Sequence, residues 1–270
     1  MSKLELEVQN TQSIEHLFEP DGWNRTARIG VVVPHADVGP EAEIGAMAGY
    51  HATVHGSRIF FSAMRAGGEM DDKIPHAPVE SFVQAPYLDE AVEAVCQSPI
   101  DCVGLAFTSS AYKHGPDGER ALIERLKPVA REIPIVSTCL SAERALKKLG
   151  TQKLAVVNPA WFDYDLSAQG ASYFEKAGFN VVHHSSCGIQ SGQKYVTPQA
   201  LYTWIKDVVL DSGADTVFVG GNGQRSVGII KAVEETLGVT IITGNQLILW
   251  DALRSIGSDA KIERYGRLFS

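Results

Sequence analysis

Four cysteines, eight histidines and two short polar turns are the residues of this 270-residue chain whose types could carry chemistry. Cys96, Cys102, Cys139 and Cys187 show no Cys-x-x-Cys or Cys/His ligand spacing. Neither a structural zinc nor a disulfide framework is therefore implied, and buried reduced thiols are the expectation. Cys139 alone follows a strand and opens a helix, where a helix N-terminus lowers a thiol pKa. Small residues are also common at helix starts, so packing is the weightier reading of Cys139. His183 and His184 end a strand whose alternation sends them to opposite faces, which disfavours joint metal ligation. The stretch Gly220-Gly221-Asn222-Gly223 has Ser226 where a dinucleotide fingerprint needs a third glycine, and no Gly-Lys-Ser/Thr follows. What remains are Thr108-Ser109-Ser110 and Asn222-Gly223, two small polar turns after apolar strands.

The elements that must position these turns follow a parallel α/β rhythm. Short β-branched runs at 29–33, 103–107, 135–136, 154–157, 181–182, 216–219 and 240–243 predict strands. Apolar residues at helical spacing predict helices over 119–132, 141–149, 199–210, 227–237 and 246–256, and Gly150, Gly178, Gly238 and Gly257 mark helix ends. Three segments recur at domain scale. Arg28 to Pro34 matches Lys153 to Pro159, Asp101 to Phe107 matches Asp215 to Gly221, and Ala145 to Gly150 matches Ala252 to Gly257. The chain reads as two similar α/β lobes: residues 28–140 with 244–270, and residues 141–243, preceded by an extension over 1–27. Ligands of open parallel sheets sit beyond the carboxyl ends of the strands, so the turns after Phe107 and Gly221 are expected to face one ligand across a cleft.

A hydrophobic fraction of 44% and a charged fraction of 21% allow a full core and exclude disorder as the dominant state. The net charge of −8 argues against a nucleic-acid surface. No apolar run reaches the ~20 residues of a membrane span, and Met1 to Asn10 has no signal-peptide segment. The expectation is a cytoplasmic protein acting on a small molecule, without nucleic-acid or membrane partners.

Gly30-Val-Val-Val-Pro34 with Glu41, Ala106-Phe-Thr-Ser-Ser110, Gly220-Gly-Asn-Gly-Gln-Arg225, Leu237 through Gln246, and Leu249-Trp-Asp-Ala-Leu253 together resemble the maleate cis-trans isomerase and arylmalonate decarboxylase group of the aspartate/glutamate racemase superfamily. The resemblance spans about Arg28 to Gly257. It implies two flavodoxin-like lobes related by a pseudo-twofold, an active site between them, no metal, no organic cofactor and a homo-oligomer. It also implies one or two catalytic cysteines, each at the end of the third strand of a lobe.

Those positions are Phe107 and Gly221 here, so both thiols are missing. Thr108, Ser109, Ser110, Gly221, Asn222 and Gly223 remain as candidates to hold a carboxylate or an enediolate oxyanion. Where isomerase relatives carry an Asn three residues after the first proline, this chain has Asp37, with His35 two residues earlier to orient or share its proton. Where relatives place a tyrosine after the second proline, the chain offers Ala160, Trp161 and Phe162, with Tyr164 later. With Phe107 these suggest an apolar pocket wall. Arg225 matches an Arg of the relatives and either binds a carboxylate or supports its loop. His114, near the Thr-Ser-Ser turn, either reaches the cleft or is a solvated loop residue. The segment from Met64 to Pro86 lacks periodicity and is either a lid or an oligomer contact.

The expected function is that of a cofactor-free enzyme acting on a small carboxylate, amide or imide without cysteine. Hydrolysis or hydration by water activated at Asp37, assisted by His35 and facing an oxyanion hole, leads. The alternatives are a cysteine-independent lyase or isomerase working through an enediolate, with Asp37 or Tyr164 handling the proton, and a binding protein without turnover.

Overall fold

The computed structural model describes residues 17–19, 21–23 and 25–270; most of the expected N-terminal extension lies outside them. Two four-stranded parallel sheets carry the fold. The first comprises β1 (Ala27–Pro34), β2 (Ala52–Ile59), β3 (Cys102–Leu105) and β4 (Ile135–Ser137), in the order β2-β1-β3-β4. The second comprises β5 (Leu154–Asn158), β6 (Val181–Ser186), β7 (Thr216–Val219) and β8 (Thr240–Thr243), in the order β6-β5-β7-β8. The two orders are the same, and the segments that recur in the sequence occupy the same places: β1 and β5 are equivalent, as are β3 and β7. Residues 29–34 are all buried, because helices cover both faces of a parallel sheet and its central strands must be apolar throughout.

The helices are α1 (Gly39–Ala48), α2 (His76–Ser81), α3 (Tyr87–Cys96), α4 (Ser109–Leu126), α5 (Thr138–Leu149), α6 (Tyr164–Lys176), α7 (Pro198–Ser212), α8 (Ile230–Leu237) and α9 (Gly244–Ser255). Local chemistry sets several ends. Thr197 Oγ1 accepts from Ala200 N–H at 3.2 Å with Pro198 at the first helical position of α7, and Asp163 Oδ1 accepts from Leu166 N–H at 2.8 Å to start α6. α4 differs from its expected range of 119–132. It begins ten residues earlier, bends at Gly115-Pro116, and stops before Pro128, whose ring disfavours helix at the preceding residue. The last helix, α9, returns to pack on β3 and β4 of the first sheet. Gly104 makes this approach possible, since a β-carbon there would lie 2.5 Å from Ile248 Cγ2. No described helix is long and apolar enough to cross a membrane.

Two elements of the first half bear directly on the cleft. β2, absent from the expected strands, is a half-exposed edge strand carrying His55, Gly56, Ser57 and Arg58. Between β2 and α3 lies the lid segment, Phe60 to Pro86, so named only for its place beside the cleft, containing a short 3-10 turn at Ala66–Gly68 and α2. Its contacts cross to the second half: Ile74 N–H donates to Trp161 O at 2.9 Å, and Lys73 Nζ donates to Ala160 O at 2.6 Å and Phe162 O at 2.8 Å. His76 Nε2 meets Asp163 Oδ2 at 2.8 Å, and Ser191 Oγ donates to Asp72 O at 2.9 Å.

Candidate active site

The carboxyl ends of β1, β3, β5 and β7 converge, and a chain of buried side chains ties their turns together. Thr108 Oγ1 donates to Asn222 Oδ1 and accepts from Gly221 N–H, both at 2.9 Å. Thr138 Oγ1 donates to the same Asn222 oxygen at 3.0 Å, and Asn222 Nδ2 donates to Asn245 Oδ1 at 3.0 Å. Asn245 Nδ2 donates to Asn222 O and to Glu43 Oε2, each at 2.8 Å. Glu43, from α1, accepts from Ser226 N–H at 2.6 Å and Val227 N–H at 3.0 Å through its other oxygen. Its burial raises the carboxyl pKa, against the pull of Asn245 and the two backbone donors. The glycine turn after β7 is thus held in one geometry from both halves of the molecule.

This network changes the roles of two expected ligands. Thr108 Oγ1 and Asn222 Oδ1 are already engaged and position the turn, while Asn222 Nδ2 gives one of its two N–H groups to Asn245 and keeps the other. Ser110 is also spent, donating to Val79 O at 3.0 Å on the lid helix α2. Ser109 differs. Its hydroxyl makes no hydrogen bond to a described residue and it lines the cavity between the two turns. Asn222 and Gly223 line the same cavity, and their backbone N–H groups have no partner among the described residues. One hydroxyl and two N–H groups of a glycine turn are thus without a partner among the described residues, and donors of these types can hold a carboxylate or an oxyanion.

Asp37, on the turn between β1 and α1, faces this site and is 3% exposed. Oδ1 accepts from Gly39 N–H and from Gln193 Nε2, both at 2.8 Å. Oδ2 accepts nothing from a described residue and stands against Gly223, where a β-carbon would lie 2.9 Å from it. Burial raises the Asp37 pKa; the Gly39 and Gln193 donors and the nearby Arg58 oppose that shift. Arg58 donates to the Asp37 carbonyl and pairs with Glu41. The carboxyl therefore has one oxygen held by two donors and a second without a partner among the described residues.

The rest of the cavity, about 50 Å³, is apolar: Phe61, Phe82, Phe107, Trp161 and Phe162 line it, with Met64, Met70 and Ile74 from the lid. Phe107 stacks edge-on against Phe82 at 4.9 Å between ring centroids. The other thiol position is filled as well. Gly221 has φ +78°, and a β-carbon on it would lie 2.1 Å from Pro159 Cγ. No cysteine lines the cavity, and all four are buried.

Several expected residues lie elsewhere. His35 does not reach Asp37: its Nδ1 accepts from Phe61 N–H at 3.1 Å and its ring stacks on Phe60. His114 is exposed on α4, and Tyr164 is 75% exposed beside His184. Arg225 is exposed and lines a separate cleft. Cys139 is fully buried, and burial beside Glu119 pushes its thiol well above the ordinary range, outweighing the helix start. Conversely, sequence reasoning missed Gln193, Glu43 and Lys73. Gln193 has no signal of its own, since its loop lies 156 residues from Asp37. Among the described residues no group of three or more His, Cys, Asp or Glu is placed to hold a metal ion.

Comparison with known proteins follows the same lines. The family profile described as Arylmalonate decarboxylase matches residues 79–269. An arylmalonate decarboxylase from Bordetella bronchiseptica is 24% identical over 195 residues, covering 67% of this chain and 80% of that protein. The maleate isomerase from Pseudomonas putida superposes with a TM-score of 0.76 at 19% identity, covering 90% of this chain and 98% of the isomerase. A maleate cis-trans isomerase from Nocardia farcinica, solved as a cysteine-to-serine variant with a covalently bound succinylcysteine intermediate, gives 0.78 at 17% identity over 90% and 98% of the two chains.

Proposed function

Since the chain belongs to the arylmalonate decarboxylase family, we propose that it is a cysteine-independent lyase that decarboxylates a substituted malonate, with Asp37 as the proton donor. The observation that carries this reading is the Asp37 carboxyl, buried, biased toward its protonated form and with Oδ2 unbonded, beside the unpaired N–H groups of Asn222 and Gly223 on the wall of an apolar cavity.

One carboxylate of the substrate rests on the Asn222 and Gly223 N–H groups and the Ser109 hydroxyl. The other lies toward the aromatic wall, where loss of hydration favours its departure. The bond from the α-carbon to that carboxylate breaks, carbon dioxide leaves, and the electron pair moves into the retained carboxylate as an enediolate. The oxyanion donors hold the added charge. Asp37 Oδ2–H then gives its proton to the α-carbon, a monocarboxylate forms, and Asp37 regains a proton from water. Hydrolysis fits less well, because water activation needs an ionised Asp37 and the expected help from His35 is not formed.

The experiment is incubation with phenylmalonate and alkylmalonates in deuterium oxide, followed by mass analysis, with and without prior thiol alkylation. Loss of one carbon dioxide with one deuterium at the α-carbon, unaffected by alkylation, is the expected result. Unconsumed malonates, or activity that disappears on alkylation, would overturn the reading.

A further inference from the structure

The cavity at Asp37 is about 50 Å³, whereas small-molecule sites usually enclose about 300–1,000 Å³. Met70, Gln193 and Gly223 line it and also line a neighbouring cleft of about 850 Å³. These three residues are therefore a shared wall between a chamber that fits a reacting carbon and a cleft that fits a whole ligand.

Two of the charges around this cleft, Glu43 and Arg65, are committed, and Lys194 has no carboxylate partner among the described residues. Glu43 holds three donors, Arg65 pairs with Asp71 at 2.8 Å, and Lys194 lies 5.1 Å from the Tyr195 ring. Glu69 and Asp72 contribute carboxylates from the lid. Arg225 lines the cleft and makes no hydrogen bond or ion pair with a described residue. It stands two residues after Gly223, so their α-carbons are separated by at most roughly 7 Å. Apolar surface lies alongside, including Val38 at 66% and Tyr195 at 39% exposure.

Resting on the lyase reading above, we infer that the cleft is the outer half of the substrate site and takes an extended apolar substituent ending in an anionic group held by Arg225. The substrate class is then a malonate whose α-substituent carries a second, distal carboxylate or equivalent anion, threaded past Gln193 and Gly223. A guanidinium can hold such a group through two parallel hydrogen bonds.

The test uses probes without a geminal carboxylate, so that binding is read apart from turnover. Calorimetric titration of the full chain with adipate, suberate and sebacate is compared with hexanoate, octanoate and decanoate. At least one dicarboxylate is expected to bind about five-fold or more tightly than the monoacid of equal length, a preference that Arg225→Ala removes while monoacid affinity stays. Absence of any preference, or its survival in Arg225→Ala, would overturn the inference. If the preference is found but malonates, including those with an ω-carboxyalkyl substituent, are untouched, the subsite stands and the lyase reading falls. If malonates are decarboxylated while both acid series bind alike, the lyase reading stands and the subsite falls.

Discussion

Asp37 has two oxygens in different circumstances: Oδ1 is fixed by Gly39 and Gln193, and Oδ2 is open toward Gly223. A neutral carboxyl is the working form of a proton donor. Because burial raises the Asp37 pKa, activity is expected on the acid side and lost as pH rises through the folded value. Asp37→Asn keeps the shape but has no acidic proton, so kcat should fall by about 10²-fold or more with ligand affinity retained. Parallel rate and binding measurements across pH check this, and an unchanged kcat would remove Asp37 from the mechanism. The thiol positions give a second expectation. Gly221→Cys meets both a left-handed backbone and the Pro159 ring, so it should cost about 2–4 kcal/mol in a urea melt and confer no alkylation-sensitive activity. At this scale the sequence was informative about departures: Phe107, Gly221 and Asp37 stood out against the family pattern. It was silent on engagement, because whether Thr108, Asn222 or Ser109 keeps a free polar atom depends on partners far along the chain.

Among the elements, the segment from Phe60 to Pro86 supplies much of the cavity wall. Lys73 donates to two carbonyls of the second half, and Ile74 adds a backbone bond beside it. Lys73→Ala is expected to raise amide hydrogen exchange over residues 74–82 by about 100-fold or more, the effect of losing two charge-assisted bonds worth about 1.5–3 kcal/mol each. Exchange equal to that of the unmodified chain would show that apolar packing alone holds the lid. The segment could be read as lid or interface from its irregular sequence, but only the contacts of Lys73, Ile74 and His76 show which surface it meets. Strands with continuous apolar runs were legible, whereas β2 was not, since an edge strand with Gly56, Ser57 and Arg58 has no apolar pattern to detect. α6 escaped for a related reason: its buried face includes Ser167, Gly170 and Ala171, small residues that give weak periodicity.

For the whole molecule, titration couples the site to stability. Asp37, Glu43 and Glu119 all have raised pKa values, with burial the largest cause in each. A raised carboxyl binds its proton more tightly in the folded state. The stability it contributes is complete below the unfolded value and is lost as pH rises through the folded one. Asp163, lowered by the Leu166 N–H and His76, acts in the opposite sense. The urea midpoint is therefore expected to decline from mildly acidic pH toward neutrality, and Glu119→Gln to make that decline shallower; an unaltered slope would show that Glu119 takes no part. The two-lobed plan was legible because β1 and β5, and β3 and β7, keep similar sequences in equivalent places. What the repeat could not reveal is how the halves grip each other through Glu43, Asn245 and Thr108.

The contact between Gly221 and Pro159 also bears on what position 221 can accept. These residues belong to different strand-end turns, so a thiol at position 221 carries a stability cost set by a residue far from it in the chain. A smaller residue in place of Pro159 would remove the steric part of the cost of Gly221→Cys, while the left-handed backbone would still oppose a side chain there. Packing at this turn thus works against a thiol at position 221 independently of the chemistry the site performs.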